Sequence, residues 1–302
     1  MPQGSCPSSW PIRPGGEIRE DSCRLVGKIS SMDLPVNQND YRDSMLDRTL
    51  RFYTREEVDK VRNTTVAISG LGGVGAITAE LLARWGVKRF RLLDMDSYEP
   101  SNLNRQLFAT SRTLGRLKVD VAAERIQEIY PEAQIEMKVP ERVTNDNVDS
   151  FIRGAGIAIQ NADHPSCKLF YLAAREHRVP LVNGYATVTG GRVQAFDYRR
   201  SPCRHWLESW WHTLKHGQTK PLREFTPDEV CQFDRDNVHA TAPSINFVTN
   251  MVGCLITAEA VKLITGRGQV AHYPRYVSFD LFKHSLGIRN ENSLLNVESW
   301  LR

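Results

Sequence analysis

Between positions 70 and 75 the chain reads Gly70-Leu71-Gly72-Gly73-Val74-Gly75, a G-x-G-x-x-G array. With no side chains in the way, backbone N–H groups and the first turn of a following helix can approach phosphate oxygens there. Asp94 stands nineteen positions past Gly75, at the end of a strand-like run, where a carboxylate suits a ribose hydroxyl. The combination points to a nucleotide and does not say which one. Asp94-Met95-Asp96 is followed by Ser101-Asn102-Leu103-Asn104-Arg105-Gln106 and then by Gly115-Arg116-Leu117-Lys118. A plain dehydrogenase has no use for these residues. Arg105 can grip phosphate through a fork of donors, and Lys118 is a compact cation. Together they can stabilise charge that develops at an α-phosphate under attack by a carboxylate, whereas either alone would read as a solvated surface charge.

Residues of this kind work only if regular elements hold them. Thr65-Val66-Ala67-Ile68-Ser69 is a short apolar, β-branched strand leading into the glycines, and Ala76 to Trp85 has helical spacing with Gly86 as its stop. A helix near Leu50 to Val58 precedes them, with Thr54 and Glu57 spaced as a capping box. Arg89 to Leu93 is a second strand, and Lys118 to Tyr130 is a helix closed by Pro131. Strands over Ile135 to Val139 and Ile157 to Gln160 flank a helix over Asn147 to Arg153. A helix from Pro165 to His177 leads to the strand Leu181-Val182-Asn183, and Gly191 to Phe196 follows as another. Ser244 to Ile264 is a strongly apolar helix stopped by Gly266. Alternation of this kind predicts an α/β fold, a Rossmann-like and mostly parallel sheet with helices on both faces, continued by a crossover segment and further strands. The irregular stretch near 199–240, rich in Trp and His, is read as that crossover. Residues 1–45, polar and broken by proline and glycine, are read as a flexible extension of a domain spanning 46–302.

With 41% hydrophobic and 25% charged residues, disorder and a membrane class are disfavoured, and a net charge of +4 without a dense basic run speaks against nucleic acid. Cys6, Cys23, Cys167, Cys203, Cys231 and Cys254 form no Cys-x-x-Cys pair and no compact disulfide spacing. A reducing, cytoplasmic location is expected, since no secretory signal or long apolar run is apparent. Cys167 and Cys254 fall within helices and are read as packing residues.

From about Leu50 to Asp280 the chain resembles the family of ThiF, MoeB and HesA, which shares its adenylation fold with the ubiquitin-activating enzymes. The resemblance rests on the glycine loop, Leu92-Leu93-Asp94-Met95-Asp96, the Ser101 to Gln106 run, Gly115-Arg116-Leu117-Lys118, Asn161-Ala162-Asp163 and Ala242-Pro243 in that order. It implies an ATP-dependent adenylyltransferase that activates the C-terminal carboxylate of a small ubiquitin-like or sulfur-carrier protein and releases pyrophosphate. Position by position it implies Gly70, Gly72, Gly73, Gly75, Asp94, Asp96, Asn102, Arg105, Gln106 and Lys118 around the nucleotide, and Asp163 on magnesium. A strand-end carboxylate suits Mg²⁺, although Asp163 could also cap the helix opening at Pro165. Arg55 falls where such enzymes reach into a partner subunit's site, which implies a homodimer.

The pattern departs from the family in two places. Its members usually carry two Cys-x-x-Cys pairs for structural zinc, so no such zinc is expected; Cys203, His205, His212 and His216 match no standard arrangement. His164 follows Asp163 where asparagine is frequent. Cys203 and Cys231 are candidates to accept the activated carboxylate as a thioester, and Trp206, Trp210 and Trp211 are read as cover for apolar surface. Other functions stay open: modification of a ribosomally made precursor peptide in natural-product biosynthesis, a dehydratase acting on modified tRNA, an NAD-dependent oxidoreductase, and a non-catalytic protein-binding module.

Overall fold

A strand covered on both faces is expected to be a near-continuous apolar run, and Thr65–Ser69 (β1), with all five residues buried, carries Val66, Ala67 and Ile68 between a threonine and a serine. The computed structural model describes residues 38–162, 167–200 and 243–290, and the elements are numbered over these. β1 pairs in parallel with β2 (Arg89–Leu93) on one side and with β4 (Ile157–Gln160) on the other. β3 (Gln134–Val139) adds in parallel beyond β2, and β5 (Leu181–Ala186) beyond β4. The polypeptide therefore steps outward from β1 to β3 and then crosses back to β4, so strand order reverses between β1 and β4. Crevices outside the carboxyl ends of strands at such a reversal are the binding sites of open α/β sheets.

Beyond β5 the sheet changes character. β6 (Gly190–Phe196), β7 (Arg275–Asp280) and β8 (Ser285–Asn290) continue it antiparallel, in the order β5-β6-β7-β8. The turn of residues 187–189 is too short for the crossover that a parallel neighbour needs, so β6 can only double back on β5.

Helices cover both faces. α3 (Gly75–Arg84), α4 (Lys118–Ile129) and α7 (Asn246–Thr265) bury their apolar sides with Val66, Ile68, Ile157 and Ile159. α5 (Asn145–Ile152) and α6 (Cys167–Glu176) pack on the opposite face, around Ala67, Ala158 and Leu181. Alternate residues of β1 and β4 thus enter opposite cores, as the two-residue period of a strand requires. α2 (Arg55–Asn63) opens on the expected capping box: Glu57 N–H donates to Thr54 Oγ1 and Thr54 N–H donates to the Glu57 carboxylate. α5 begins earlier than its apolar pattern implies, because Thr144 caps it through the N–H of Asn147.

The stretch read as a flexible extension ends sooner than expected. Gln38–Leu46 forms α1, whose Leu46 is fully buried and whose Tyr41 hydroxyl donates to the carbonyl of Ile129 at 2.8 Å. Its sequence, QNDYRDSML, has too few apolar residues to display a helical period, so the element is held by tertiary contacts that its pattern does not announce.

α7 has the length and apolar composition of a membrane span, and here it is a core helix with Val248, Val252, Ile256 and Ala260 fully buried. It lies against α3 so closely that a Cβ on Gly253 would stand 2.1 Å from Ile77 Cγ2 and 2.8 Å from the Val74 carbonyl oxygen. Gly253→Ala should therefore lower the unfolding free energy by about 1–3 kcal/mol, an overpacking penalty readable in a urea titration. An unchanged midpoint would show that α3 and α7 can separate freely.

Candidate active site

The loop from β1 to α3 closes only because it is glycine at its ends. Gly70 adopts φ +76°, where a side chain is strained, and its N–H donates to the Leu93 carbonyl at 2.9 Å. A Cβ on Gly75 would lie 1.8 Å from the Gly70 carbonyl oxygen, so the loop returns on itself at a distance no other residue permits. Gly73 rests against Thr249 of α7, which would be 3.2 Å from an added Cβ. Gly70, Gly72, Gly73 and Gly75 all line one cleft of about 870 Å³ at the carboxyl ends of β1, β2, β4 and β5. That volume falls in the range of ligand sites.

Asp94 follows the last residue of β2 and lines this cleft, and its first task is structural. Its Oδ2 accepts from Leu71 N–H at 2.6 Å and its Oδ1 from Asp96 N–H at 2.9 Å, tying the glycine loop to the turn after β2. Burial raises its pKa above the ordinary carboxylate value, against the pull of Lys118 and of these two N–H groups. A carboxylate offers about four lone-pair sites, so two acceptors remain for hydroxyl donors from a ligand.

Lys118 opens α4 with its side chain almost wholly buried. Its Nζ donates to Asp96 Oδ2 at 2.8 Å and lies 4.0 Å from Asp94 Oδ1. The ammonium on the cleft wall is thus held by two acidic neighbours. Arg105 also lines the cleft; its Nη1 donates to the Ser101 carbonyl and to Asn104 Oδ1, both at 2.9 Å. Asn102 shapes the turn carrying Arg105: its Oδ1 accepts from Glu99 N–H, and its carbonyl accepts from the N–H groups of Arg105 and Gln106. The Gln106 side chain lies beside Gly72, with Oε1 buried and without a partner among the described residues.

Ten residues expected around the nucleotide therefore line one cleft: the four glycines, Asp94, Asp96, Asn102, Arg105, Gln106 and Lys118. Arg55 stands elsewhere, exposed on α2, with Nη1 donating to both carboxylate oxygens of Asp43 at 2.7 and 2.9 Å. Asp163, His164, Cys203 and Cys231 lie outside the described residues, as do His205, Trp206, Trp210, Trp211, His212 and His216. Among the described residues there is no cluster of three metal-ligating side chains.

Two cysteine assignments are corrected. Cys167, expected to pack, is the first residue of α6 and lines the cleft; Cys254, also expected to pack, is exposed on the outer side of α7. Helical spacing could not reveal either placement, because each depends on which way the helix is turned toward the sheet. Gln160, Asn161, Tyr171, Asn183 and Tyr185 also line the cleft; Asn161 alone of these falls in a motif, Asn161-Ala162-Asp163, which assigns its own side chain no role. The available signal was position alone, since Gln160 and Asn183 sit at or near the carboxyl ends of parallel strands.

An α/β sheet with a glycine loop at its strand-order reversal, an acidic strand end beneath it and two cations on its wall defines a nucleotide-binding protein suited to polyphosphate. The chain belongs to the ThiF family, whose model matches residues 46–296. It is similar to the molybdopterin-synthase adenylyltransferase of Salmonella typhimurium, 32% identical over 224 residues that cover 74% of this chain and 81% of that protein. It is 28% identical to the sulfur carrier protein adenylyltransferase of Thermus thermophilus over 221 residues, 71% of this chain and 74% of that one. The matches to the tRNA threonylcarbamoyladenosine dehydratases of Haemophilus influenzae and Escherichia coli span about half of those proteins, 47% and 54% of their lengths. Among solved structures the fold is shared with E. coli MccB bound to ATP, at TM-score 0.66 and 18% identity, covering 83% of this chain and 72% of that one.

The raised pKa of Asp94 sets a pH dependence. Its carboxyl takes up a proton at higher pH in the fold than in the unfolded protein, so its contribution to stability improves as pH falls through that window and is lost as pH rises. Acceptance of hydroxyl donors from a ligand runs the other way, because the protonated carboxyl is a weaker acceptor. ATP affinity measured by calorimetry should fall on the acid side at a higher pH than an ordinary aspartate would dictate. Asp94→Asn should bind about tenfold more weakly at neutral pH with a flattened acid limb.

Proposed function

We propose that the protein is an ATP-dependent adenylyltransferase that joins AMP to the C-terminal carboxylate of a small ubiquitin-like or sulfur-carrier protein. A carboxylate oxygen attacks the α-phosphorus, the bond from that phosphorus to the bridging oxygen breaks, and pyrophosphate leaves with the electron pair. The product is an acyl-adenylate, a mixed anhydride open to a later nucleophile. Glycine-loop amides and the first turn of α3 receive phosphate oxygens, Asp94 accepts from the ribose, and Gln106 Oε1 offers a further acceptor beside the loop. Lys118 and Arg105 stabilise negative charge that grows on the phosphates as the bond breaks.

The observation that carries this reading is that a buried lysine and an arginine share one cleft with the glycine loop. A hydride-transfer enzyme would leave both without work. Family membership, and similarity to adenylyltransferases over most of the chain, support the same chemistry. The absence of Cys-x-x-Cys pairs favours a second reading, the same activation applied to a ribosomally made precursor peptide.

Magnesium belongs to the proposal as the counter-ion of the nucleotide. Mg²⁺ takes one or two carboxylates and completes its shell with phosphate oxygens and water, so it needs no cluster of protein ligands. Asp163, which follows the cleft-lining Asn161-Ala162 in sequence, is the carboxylate proposed to hold it, and the bound ion would offset charge on the departing pyrophosphate. In a homodimer Arg55 would reach a neighbouring copy's nucleotide by exchanging Asp43 for phosphate.

Exchange of radiolabelled pyrophosphate into ATP, run with carrier proteins, precursor peptides and tRNA as separate substrates, tests the reading. Carrier or peptide carboxylates should support exchange. Arg105→Ala and Lys118→Ala should each reduce it by about 10²–10³-fold. Exchange that survives both substitutions, or tight NAD binding in place of ATP, would sink it.

A further inference from the structure

Several polar side chains on the cleft wall, Gln160, Asn161 and Asn183 among them, have no part in the nucleotide chemistry. Asn161 follows the last residue of β4, and its backbone N–H donates to the Ser69 carbonyl at 2.9 Å, carrying the β1–β4 pairing one step further. Its own carbonyl faces the glycine loop, 2.7 Å from where a Cβ on Gly70 would stand. The backbone is thus pinned to the loop, and the side chain lies on the cleft wall beside the start of α3, with Nδ2 3.5 Å from a Cβ placed on Gly75. Both terminal atoms of the side chain, Oδ1 and Nδ2, are buried, and neither has a hydrogen-bond partner among the described residues.

Its neighbours are not in this state. Gln160 Nε2 donates to the Ala162 carbonyl at 2.6 Å, and Gln160 Oε1 accepts from Asn183 Nδ2 at 2.5 Å. These two amides satisfy one another, while Asn161 beside them has a donor and an acceptor open together. Buried polar groups in folded proteins are paired, so a buried amide with both functions open marks a place that something else completes.

The character of that amide restricts what completes it. Phosphate oxygens only accept, so the triphosphate against the glycine loop could engage Nδ2 and would leave Oδ1 unpaired, while the ribose hydroxyls have Asp94 as their acceptor. The carboxylate of an aspartate, a glutamate or a simple organic acid has the same limitation. The carboxyl end of a polypeptide offers both kinds of group at one residue, a carboxylate oxygen and the amide N–H of that same residue.

Resting on the adenylyltransferase reading, we propose that Asn161 recognises the last residue of the substrate polypeptide. Nδ2 donates to the carboxyl oxygen that does not attack phosphorus, and Oδ1 accepts from the amide N–H of that residue. The substrate is then the free carboxyl end of a peptide backbone, and the carboxylates of aspartate, glutamate and small acids are excluded. Nδ2 keeps its hydrogen bond after the other oxygen has joined phosphorus, so the contact spans the whole step.

The experiment uses the full-length protein and the peptide that best supports pyrophosphate exchange, chosen from a pool with free C-terminal carboxylates. A second version of that peptide replaces the last amide N–H by an ester oxygen. The wild-type protein should use the ester version about tenfold less well in kcat/KM, the loss of one hydrogen bond. Asn161→Ala should be slowed about tenfold on the amide peptide and should no longer distinguish the two. Asn161→Asp, which keeps the shape but turns the donor into an acceptor, should be slower still. ATP affinity, read by calorimetry, should change less than twofold in both variants. The inference is overturned if the wild type treats both peptides alike, if Asn161→Ala still discriminates, or if the variants weaken ATP binding as much as peptide use. Binding of ATP by the wild type without exchange on any peptide or carrier overturns the adenylyltransferase reading itself, and the inference with it.

Discussion

Two backbone N–H groups from different loops meet on one carboxylate, and the rest of the cleft is arranged around that meeting. Leu71 belongs to the glycine loop and Asp96 to the turn after β2; both donate to Asp94. Burying a carboxylate is unfavourable unless it is hydrogen-bonded or paired, and here it is both, with Lys118 at 4.0 Å. The arrangement holds the loop at a fixed height over the sheet before any ligand arrives. Preorganised donors lose less on binding than donors that must first be gathered, which is why a residue whose spacing suggests a ribose contact matters as much for the shape of the loop.

The same economy runs through the surrounding elements. β1 and β4 stay paired through Ser69 and Gln160 at the reversal of strand order, and the glycine loop and Thr249 of α7 line the cleft beyond their ends. Thr249 of α7 supports Gly73, and Gly253 one turn on allows α7 to lie against α3. In the antiparallel half β6 extends the platform beneath α7, β7 and β8 continue the sheet to an exposed edge, and the cleft is left to the parallel half.

Much of this was legible in the residue order. β1 and β4 are short, mainly apolar runs, β2 alternates arginine with apolar residues before Leu92 and Leu93, and α2 and α3 carry a capping box and a C-terminal glycine respectively, so local chemistry declares them. That the ten expected residues gather on one cleft was legible because they follow a loop of glycines at known spacing. α1 was not, since its few apolar residues pair with distant partners such as Ile129 and are invisible to any periodic test. The antiparallel turn of direction at β6 depends on the shortness of a three-residue connection, which is easy to pass over among many strands. The open state of Asn161 and the outward face of Cys254 arise from three-dimensional placement, and no reading of composition reaches them.

The pairing of Lys118 with Asp96 bears on what happens after chemistry. Asp96 is half exposed, its side chain 53% accessible, while the ammonium it holds is almost wholly enclosed. An anion entering the cleft therefore meets a cation already shared with a carboxylate, and gains less from it than from a bare one. A cation already partnered in this way holds any anionic guest less tightly than a solitary one would, and Asp96, at the open edge of the cleft, is placed to take the ammonium back when the guest leaves.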